Sequence, residues 1–531
     1  MDERKGVSGW VALASIALIT FLALASLDVA RRGQSAEAAS RASPAPRPAL
    51  PAVQLWLSTA DRRLRLARQP DVPMAEREPL PDDVVVDVHQ TYQSIVGFGA
   101  ALTDSSAWLL RNRLDDRQRG ALLQELFGPP PGLHLNMLRL TIGASDFSLQ
   151  PYTLDDLPAG QTDPALAHFN IAPNTRDVIP AVREALSVNP QLRIVASSWS
   201  PPAWMKTSAN LIGGELLEEY ESAYADYLVK YVDAYRGYGI PIFALTLQNE
   251  PNFVPVTYPG TEMSAVTRAR LIGQYLGPAL ARRSPRTLIL EWDHNWDEPN
   301  QPLDVLADPD AARYVDGVAW HCYRGTPSVQ SDVHRVHPRK DVYITECSGG
   351  DWESARHGEL MWFARDLLLA GIRHWARGVV YWNLALDEQH GPHFGGCDLC
   401  KGLVTIDSRT GEVSRNDEYY AFAHFSRFVP PGAVRVGSSE TDKELNNVAF
   451  LDPADGSVIL VAVNGHAEAR RISVRLDRAG FEYLLPAQSV ATFVWNPDPL
   501  GAWLRRALRW WQGLRAPPGG AQGTAPDAPQ P

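Results

Sequence analysis

The chain has 531 residues, of which 45% are hydrophobic and 21% are charged, as in ordinary globular proteins. This length allows one large domain and one smaller domain. The net charge of −11 argues against a nucleic-acid partner, because phosphate groups are bound by basic surfaces. The sequence has no P-loop, no dinucleotide-binding glycine motif and no His-Glu-x-x-His zinc motif, so none of these motifs predicts a nucleotide or a catalytic metal.

Residues 1–30 contain a near-continuous apolar run, from Val7 to Leu27, that follows Arg4 and Lys5. The run predicts a cleaved signal peptide or an uncleaved membrane anchor. In both cases the body of the protein is expected to be exported, and so to be periplasmic, secreted or anchored outside the cytoplasm. Residues 31–52 are rich in Ala, Arg, Ser and Pro and are expected to form a linker.

β-Rich segments lie at both ends of the part of the chain that is expected to fold. Residues 53–92 contain short strand-like pieces, and the chain becomes β-rich again over residues 429–498. Short strands separated by turns predict an antiparallel β-sandwich, which we expect the two segments to form together. The pieces are Val53–Leu57, Val84–Val88, Val448–Leu451, Ser457–Val463, Arg471–Leu476 and Ser489–Trp495.

Residues 93–428 alternate strand-like and helix-like segments, and eight such strands predict an α/β fold, a (β/α)8 TIM barrel. A doubly wound open sheet is the alternative, but no Gly-rich phosphate turn supports it. Three of the expected helices are Glu215–Tyr235, Ser264–Ala281 and Glu359–Ala370. The expected strands are Ile95–Leu102, Asn136–Ile142, Arg193–Ser198, Phe243–Gln248, Thr287–Trp292, Gly317–Cys322, Val342–Thr345 and Val379–Leu384.

Two of these strands deliver a carboxylate to the end of the barrel where active groups lie. Glu250 ends the run Phe243-Ala-Leu-Thr-Leu-Gln-Asn-Glu, and Glu346 ends Asp341-Val-Tyr-Ile-Thr-Glu. The ends of the fourth and seventh strands face each other across a barrel mouth. Two facing carboxylates are the minimal equipment for cleaving a glycosidic bond.

Polar and aromatic residues follow nearly every other strand as well. Each also has a structural interpretation: the tryptophans can be core residues, Asp104 can cap a helix, and His321 can be a hydrogen-bonded barrel histidine. Arg139 can pair with a catalytic carboxylate and lower its pKa. The strand-end residues are Asp104, Arg139, Trp199, Asn249, Asp293, His294, His321, Tyr323, Trp382 and Asn383.

Four motifs together resemble the glucosylceramidase family, glycoside hydrolase family 30. They are Gln93–Ser105 (QSIVGFGAALTDS), Ala196–Lys206 (ASSWSPPAWMK), Thr246–Pro251 (TLQNEP) and Tyr381–Leu386 (YWNLAL). The similarity extends in order from about Gln54 to Trp495. It implies a retaining β-glycosidase with a (β/α)8 barrel and an attached β-sandwich, and it implies neither a metal nor an organic cofactor.

The resemblance also implies roles for residues. Glu250 matches the acid/base and Glu346 matches the nucleophile. The other matches hold the glucosyl unit or lie close to the nucleophile, and two tyrosines beside the site, one of them in the loop after Glu250, complete the predicted substrate-binding set. That set is Asp104, Arg139, Trp199, Asn249, Tyr258, His321, Tyr323 and Trp382.

The substrate expected first is glucosylceramide or a related β-glucoside, which would lose its glucose by double displacement. An endo-β-1,6-glucanase is the alternative, because similar loops occur in family members of both kinds. A carbohydrate-binding barrel without turnover is the alternative from another class, although such a barrel would be expected to lack one carboxylate. The expected partners are a β-glucoside, either a glycolipid or a glucan, and a membrane surface.

Residues 499–531 follow the expected sandwich. Trp503–Arg515 predicts a short helix with tryptophans and leucines on one side and arginines on the other, which is typical of a helix that lies on a membrane surface. Packing of this helix on the sandwich is the alternative. The segment from Ala516, rich in Pro, Gly and Ala, is expected to be disordered.

The chain contains four cysteines. Cys397 and Cys400 form a lone C-x-x-C, for which a short disulfide or two free thiols is expected rather than zinc, since zinc usually takes four ligands. Cys322 and Cys347 follow strand-end residues, and we expect both to be buried inert thiols that point away from the site.

Overall fold

The computed structural model describes residues 50–283, 286–352 and 358–498. Three predictions lie outside these residues: the signal or anchor segment, nearly all of the linker, and the C-terminal helix with its tail. Among the described residues, no helix has both the length and the apolar character needed to cross a membrane.

Eight parallel strands close into a barrel. Each barrel strand is hydrogen-bonded to the barrel strands before and after it in the chain, and the first strand is hydrogen-bonded to the eighth. The strands are almost entirely buried, as expected where helices cover one face of the sheet and side chains fill the other. The predicted barrel is confirmed, with strand ends moved by a few residues. The barrel strands, first to eighth, are Gly97–Ala101, Met137–Ile142, Arg193–Ser198, Ile242–Thr246, Leu288–Asn295, Val315–His321, Asp341–Glu346 and Ala376–Tyr381.

Helices surround this barrel. One difference from the sequence prediction concerns Ile212–Glu215, which forms a short strand paired with Gly260–Glu262, so that the following helix begins only at Glu221. The α-helices are Asp104–Asn112, Asp116–Phe127, Ala172–Thr175, Val178–Val188, Glu221–Gly237, Ala265–Arg270, Gly277–Ala281, Asn300–Ala307, Pro309–Ala312, Ser328–Val336, Gly358–Trp362, Ala370–Arg373 and Asp417–Ser426; π-helical turns occupy Leu271–Leu276 and Phe363–Leu369, and 3₁₀ turns occupy Ala203–Met205 and Glu218–Tyr220.

Strands from both ends of the described chain form one ten-stranded, mostly antiparallel sheet. The sheet folds over on itself, since Phe481 in the ninth strand position packs against Phe493 in the third, with ring centroids 5.1 Å apart. The predicted sandwich is thus confirmed. In sheet order its strands are Ala67–Val72, Val53–Thr59, Ser489–Trp495, Val458–Asn464, Leu445–Leu451, Val434–Ser438, Asp83–Ser94, Arg470–Leu476, Ala479–Leu485 and Ala75–Glu76.

Short strands in the loops beyond the barrel strands complete the fold. Gly349–Gly350 pairs with Cys400–Lys401, which joins the loop after the seventh barrel strand to the loop after the eighth. Ala385–Leu386, Val404–Ile406 and Val413–Arg415 form a small three-stranded sheet.

All four cysteines are in disulfides, Cys322–Cys347 and Cys397–Cys400. The prediction of two inert thiols at Cys322 and Cys347 is therefore wrong. The sixth and seventh strands are neighbours, and His321 lies opposite Glu346 in their register. The residues that follow, Cys322 and Cys347, are thereby brought to a Cα–Cα distance of 5.3 Å, which suits a disulfide.

Candidate active site

A cavity of about 620 Å³ opens at the C-terminal end of the barrel, a volume in the range of small-molecule sites. Its wall contains both predicted catalytic carboxylates, Glu250 and Glu346, and three of the predicted substrate-binding residues, Tyr258, Tyr323 and Trp382. The structure therefore brings groups from the ends of the fourth, sixth, seventh and eighth strands to one place.

Glu250 occupies an unusual backbone position just beyond the fourth strand. Its φ of +49° is in the left-handed region, which is uncommon outside glycine and costs about 1–3 kcal/mol where the surrounding structure enforces it. Two backbone hydrogen bonds hold the segment: Asn249 N donates to the Ser198 carbonyl at 2.7 Å, and Glu250 N donates to the Asp293 carbonyl at 3.1 Å. These bonds to neighbouring strands direct the Glu250 side chain into the cavity.

Glu346, at the end of the seventh strand, accepts hydrogen bonds on both carboxylate oxygens. The Arg139 guanidinium donates to Oε2, and the Tyr323 hydroxyl donates to Oε1 at 2.8 Å. Arg139 is fully buried, and its second terminal nitrogen donates to Asn249 Oδ1 at 2.8 Å. These hydrogen bonds hold the Glu346 carboxylate in a fixed orientation beside a buried cation.

The imidazole of His321 lies close to both carboxylates. His321 Nδ1 lies 3.0 Å from Glu250 Oε1 and 3.8 Å from Glu346 Oε1. The two oxygens are therefore separated by no more than about 7 Å, which is compatible with the ~5–5.5 Å separation of retaining glycosidases.

Asp293 is the buried centre of the hydrogen bonds beneath the cavity. A register shift in the fifth strand at this point, with positive φ at Trp292 and Asp293, is typical of a β-bulge that redirects side chains. The Asp293 carboxylate accepts from Arg139, His321 and three hydroxyls, those of Ser197, Thr246 and Thr345. Burial favours its neutral form, but Arg139, His321 and these hydroxyls outweigh burial and hold the pKa of Asp293 well below its usual value.

His321 lies between three carboxylates, with Nδ1 facing Glu250 and Nε2 3.1 Å from Asp293. Burial disfavours its charge, but Glu346 first, and then Asp293 and Glu250, raise the pKa of His321 to about 9. It is therefore an imidazolium at neutral pH that donates from both nitrogens.

The same contacts determine the protonation state of the candidate acid, Glu250. Burial favours the neutral form of Glu250, but His294, whose Nδ1 lies 3.2 Å from Glu250 Oε1, and His321 outweigh it and lower the pKa of Glu250 to about 2. The proton that a glycosidase acid must deliver is thus held on His321, one hydrogen bond away from Glu250.

Glu250, His294 and His321 also have the composition of a metal site, since their ligand atoms lie within 4.8 Å of one another. The hydrogen bonds favour the other interpretation. Metal ligation needs a neutral imidazole with a free nitrogen, whereas both nitrogens of the charged His321 face carboxylates.

A stack of aromatic rings forms one side of the site. Trp199 and Trp382 are stacked, with centroids 5.1 Å apart, and the Arg139 guanidinium lies 5.0 and 5.5 Å from the two rings. Trp382 lines the cavity, whereas Trp199 lies behind it and is not among the lining residues. Both are almost fully buried, so both pack as core residues, and Trp382 alone of the two also faces the cavity.

The structure does not place Asp104 with the other predicted residues on the cavity wall. Asp104 is the first residue of the helix Asp104–Asn112, which is capped by Thr103 instead. Its carboxylate accepts a hydrogen bond from the Tyr152 hydroxyl at 3.2 Å, and it is not among the residues that line the cavity.

Asp146 is one of the acids that line the cavity beside Glu250 and Glu346. It lies in the loop after the second strand, next to Phe147, whose ring contacts Trp382. Burial first, and the negative charge of Glu346 second, raise the pKa of Asp146 to about 8. Asp146 was not predicted from the sequence; an acid inside the string Gly143-Ala-Ser-Asp-Phe147 was the available signal.

Family models match most of the chain. A model of the glycosyl hydrolase family 30 TIM-barrel domain matches residues 95–429, and a model of the beta sandwich domain of the same family matches residues 432–493.

Named proteins similar to this chain include two kinds of hydrolase. It is 36% identical over 432 residues to the endo-1,6-beta-D-glucanase neg1 of Aspergillus fumigatus, covering 76% of this chain and 85% of that protein. It is 30% identical over 431 residues to the lysosomal acid glucosylceramidase of Mus musculus, covering 76% and 82%. Among solved structures, the endo-beta1,6-glucanase BT3312 superposes with a TM-score of 0.77 at 30% identity, over 84% of this chain and 99% of that one.

Proposed function

The chain belongs to glycosyl hydrolase family 30, and on that premise we propose that it is a retaining endo-β-1,6-glucanase. The observation that carries the mechanism is the pair Glu250 and Glu346, which face one cavity and share contact with His321. Support for the substrate comes from the identity to an endo-1,6-glucanase, 36%, against 30% for the glucosylceramidase. Glucosylceramide was the substrate expected first from the sequence, and the comparisons favour the alternative, a β-1,6-glucan.

In the first step, Glu346 attacks the anomeric carbon and forms a glycosyl ester, while the bond from that carbon to the leaving oxygen breaks. Glu250 gives the leaving oxygen a proton. In the second step Glu250 takes a proton from water, and the water oxygen displaces Glu346 with a second inversion, so the configuration is retained.

The charged His321 is the source of the proton that Glu250 delivers in this cycle. Glu250 is ionised in the free site and His321 carries the proton. Approach of the substrate displaces water and brings a leaving oxygen beside Glu250, which favours transfer of the proton along the 3.0 Å contact. Arg139 and Tyr323 meanwhile hold Glu346 in position through their hydrogen bonds.

Export is proposed with this function. Two disulfides within the described residues support an oxidising compartment, and residues 1–30 supply the candidate export segment. A polymeric glucan is a substrate that an enzyme outside the cytoplasm can meet.

The test is hydrolysis of β-1,6-glucan, glucosylceramide in detergent and an aryl β-glucoside side by side, with the Glu346→Gln variant as the blank. We expect kcat/KM to be highest on the glucan, with products of several lengths appearing early. Preferential hydrolysis of glucosylceramide would replace the proposal with its alternative, and binding of the glucan without turnover by the wild type would support a non-catalytic barrel.

A further inference from the structure

A second cavity, of about 640 Å³, adjoins the catalytic one. The two share three wall residues, Tyr323, Ser348 and Trp352. From these residues the second cavity extends past the helix Gly358–Trp362 to the sandwich, whose loops contribute residues such as Gly465. A trough therefore runs from the catalytic carboxylates toward the second domain.

The lining of this second cavity suits a sugar. Trp352 and Trp362 line it and keep 49% and 40% of their surface exposed, so flat apolar faces are available for the C–H face of a pyranose ring. Polar groups lie beside them: Arg365 and Glu444 form an ion pair at 3.0 Å that stays partly exposed. Planar charged groups of this kind can hydrogen-bond vicinal hydroxyls.

We propose that the second cavity binds glucosyl units of the same glucan chain, several residues away from the bond that is cleaved. This rests on the proposed function, because only a polymeric substrate reaches from one cavity into the other. The catalytic cavity is already large enough for a small ligand, so a single glucoside leaves the second one unfilled. Trp362 is the discriminating residue, since it lines the second cavity and not the first.

The experiment compares Trp362→Ala with a matched control, Tyr238→Ala. Tyr238 is equally exposed, at 39%, but it precedes the fourth strand and so lies at the opposite end of the barrel. The kcat/KM of each variant is measured on an aryl β-glucoside and on β-1,6-linked oligomers from the disaccharide to long glucan.

We expect Trp362→Ala to lower kcat/KM on long glucan by about tenfold, the effect of losing about 1.4 kcal/mol of binding, and to leave the aryl glucoside unchanged. The loss is expected to grow with oligomer length, and Tyr238→Ala is expected to match the wild type throughout. Trp362→Phe, which keeps an aromatic face, is expected to recover most of the loss.

Three results separate the possible failures. If the enzyme cleaves the glucan but wild type and Trp362→Ala have equal kcat/KM at every length, only the proposed binding role of the second cavity would be overturned. Absence of glucan cleavage by the wild type would overturn the proposed function. A loss on all substrates, including the aryl glucoside, would mean that Trp362 acts through the fold and would also overturn the proposal.

Discussion

The charge on His321 has a consequence for stability that can be calculated from the structure. Its pKa rises from 6.5 to about 9 on folding, and one pKa unit is worth ~1.36 kcal/mol. The charged contacts with Glu346, Asp293 and Glu250 thus contribute about 3 kcal/mol to the free energy of unfolding. Because the folded pKa is the higher one, this contribution is complete below pH 6.5 and is lost as pH rises to about 9.

The test variant is His321→Gln, which keeps polar atoms at this position but has no titratable side chain. Urea unfolding of wild type and variant is measured from pH 6 to 10, and the difference between their unfolding free energies is plotted against pH. We expect this difference to fall by about 3 kcal/mol with rising pH and to level off above about pH 9. A difference that stays constant from pH 6 to 10 would refute the charged histidine and with it the account of where the proton resides.

Three further predictions follow from the same site. Arg139→Met leaves two buried carboxylates without their cation and is expected to destabilise the protein by about 3–5 kcal/mol, whereas a loss below 1 kcal/mol in urea unfolding would contradict the proposed ion pairs. Replacing both Cys322 and Cys347 by Ala opens a cross-link with a sequence separation of 25, and calorimetry is expected to show a loss of about 3 kcal/mol; an unchanged Tm would contradict it. Asp146 titrates near pH 8, so the kcat/KM profile of the wild type is expected to show an inflection there that Asp146→Asn lacks, and an identical inflection in both would exclude Asp146 as its source.

The position of the candidate catalytic pair was predictable from the ends of the strands. Functional groups in a barrel lie at the C-terminal edge, and the two runs that end in Glu250 and Glu346 are strands by composition alone. Their facing positions follow from strand number. The pairing of Arg139 with one of these carboxylates was predictable as well. The contact of His294 with Glu250 was not, since it depends on the register shift between Trp292 and His294, which the sequence pattern does not contain.

Loops are where the sequence prediction lost accuracy. Asp104, three residues beyond Ala101 at the end of the first strand, does not line the cavity, whereas Asp146, four residues beyond Ile142, does. The path of that second loop is fixed by contacts with distant residues, such as the hydrogen bond from Phe394 N to the Asp146 carbonyl. Spacing along the chain does not reveal such contacts.

The disulfide between Cys322 and Cys347 is a different case, because the sequence contained enough information to predict it. His321 and Glu346 lie at neighbouring strand ends, as predicted from the sequence. Residues that follow two inward-facing neighbours both face outward and lie side by side, so the two cysteines were adjacent by the same rule that placed the site. Each was considered alone, and the pairing was missed.

The most direct test of the central claim is chemical rescue of Glu346→Gly on an aryl β-glucoside. We predict that the variant loses activity and that added azide restores turnover, with formation of the α-glucosyl azide, because azide enters the space of the missing nucleophile. The matched Glu250→Gly variant is expected to give the β-glucosyl azide from the opposite face. Full activity of Glu346→Gly without azide, or a β-azide product from it, would contradict the assignment of Glu346 as the nucleophile.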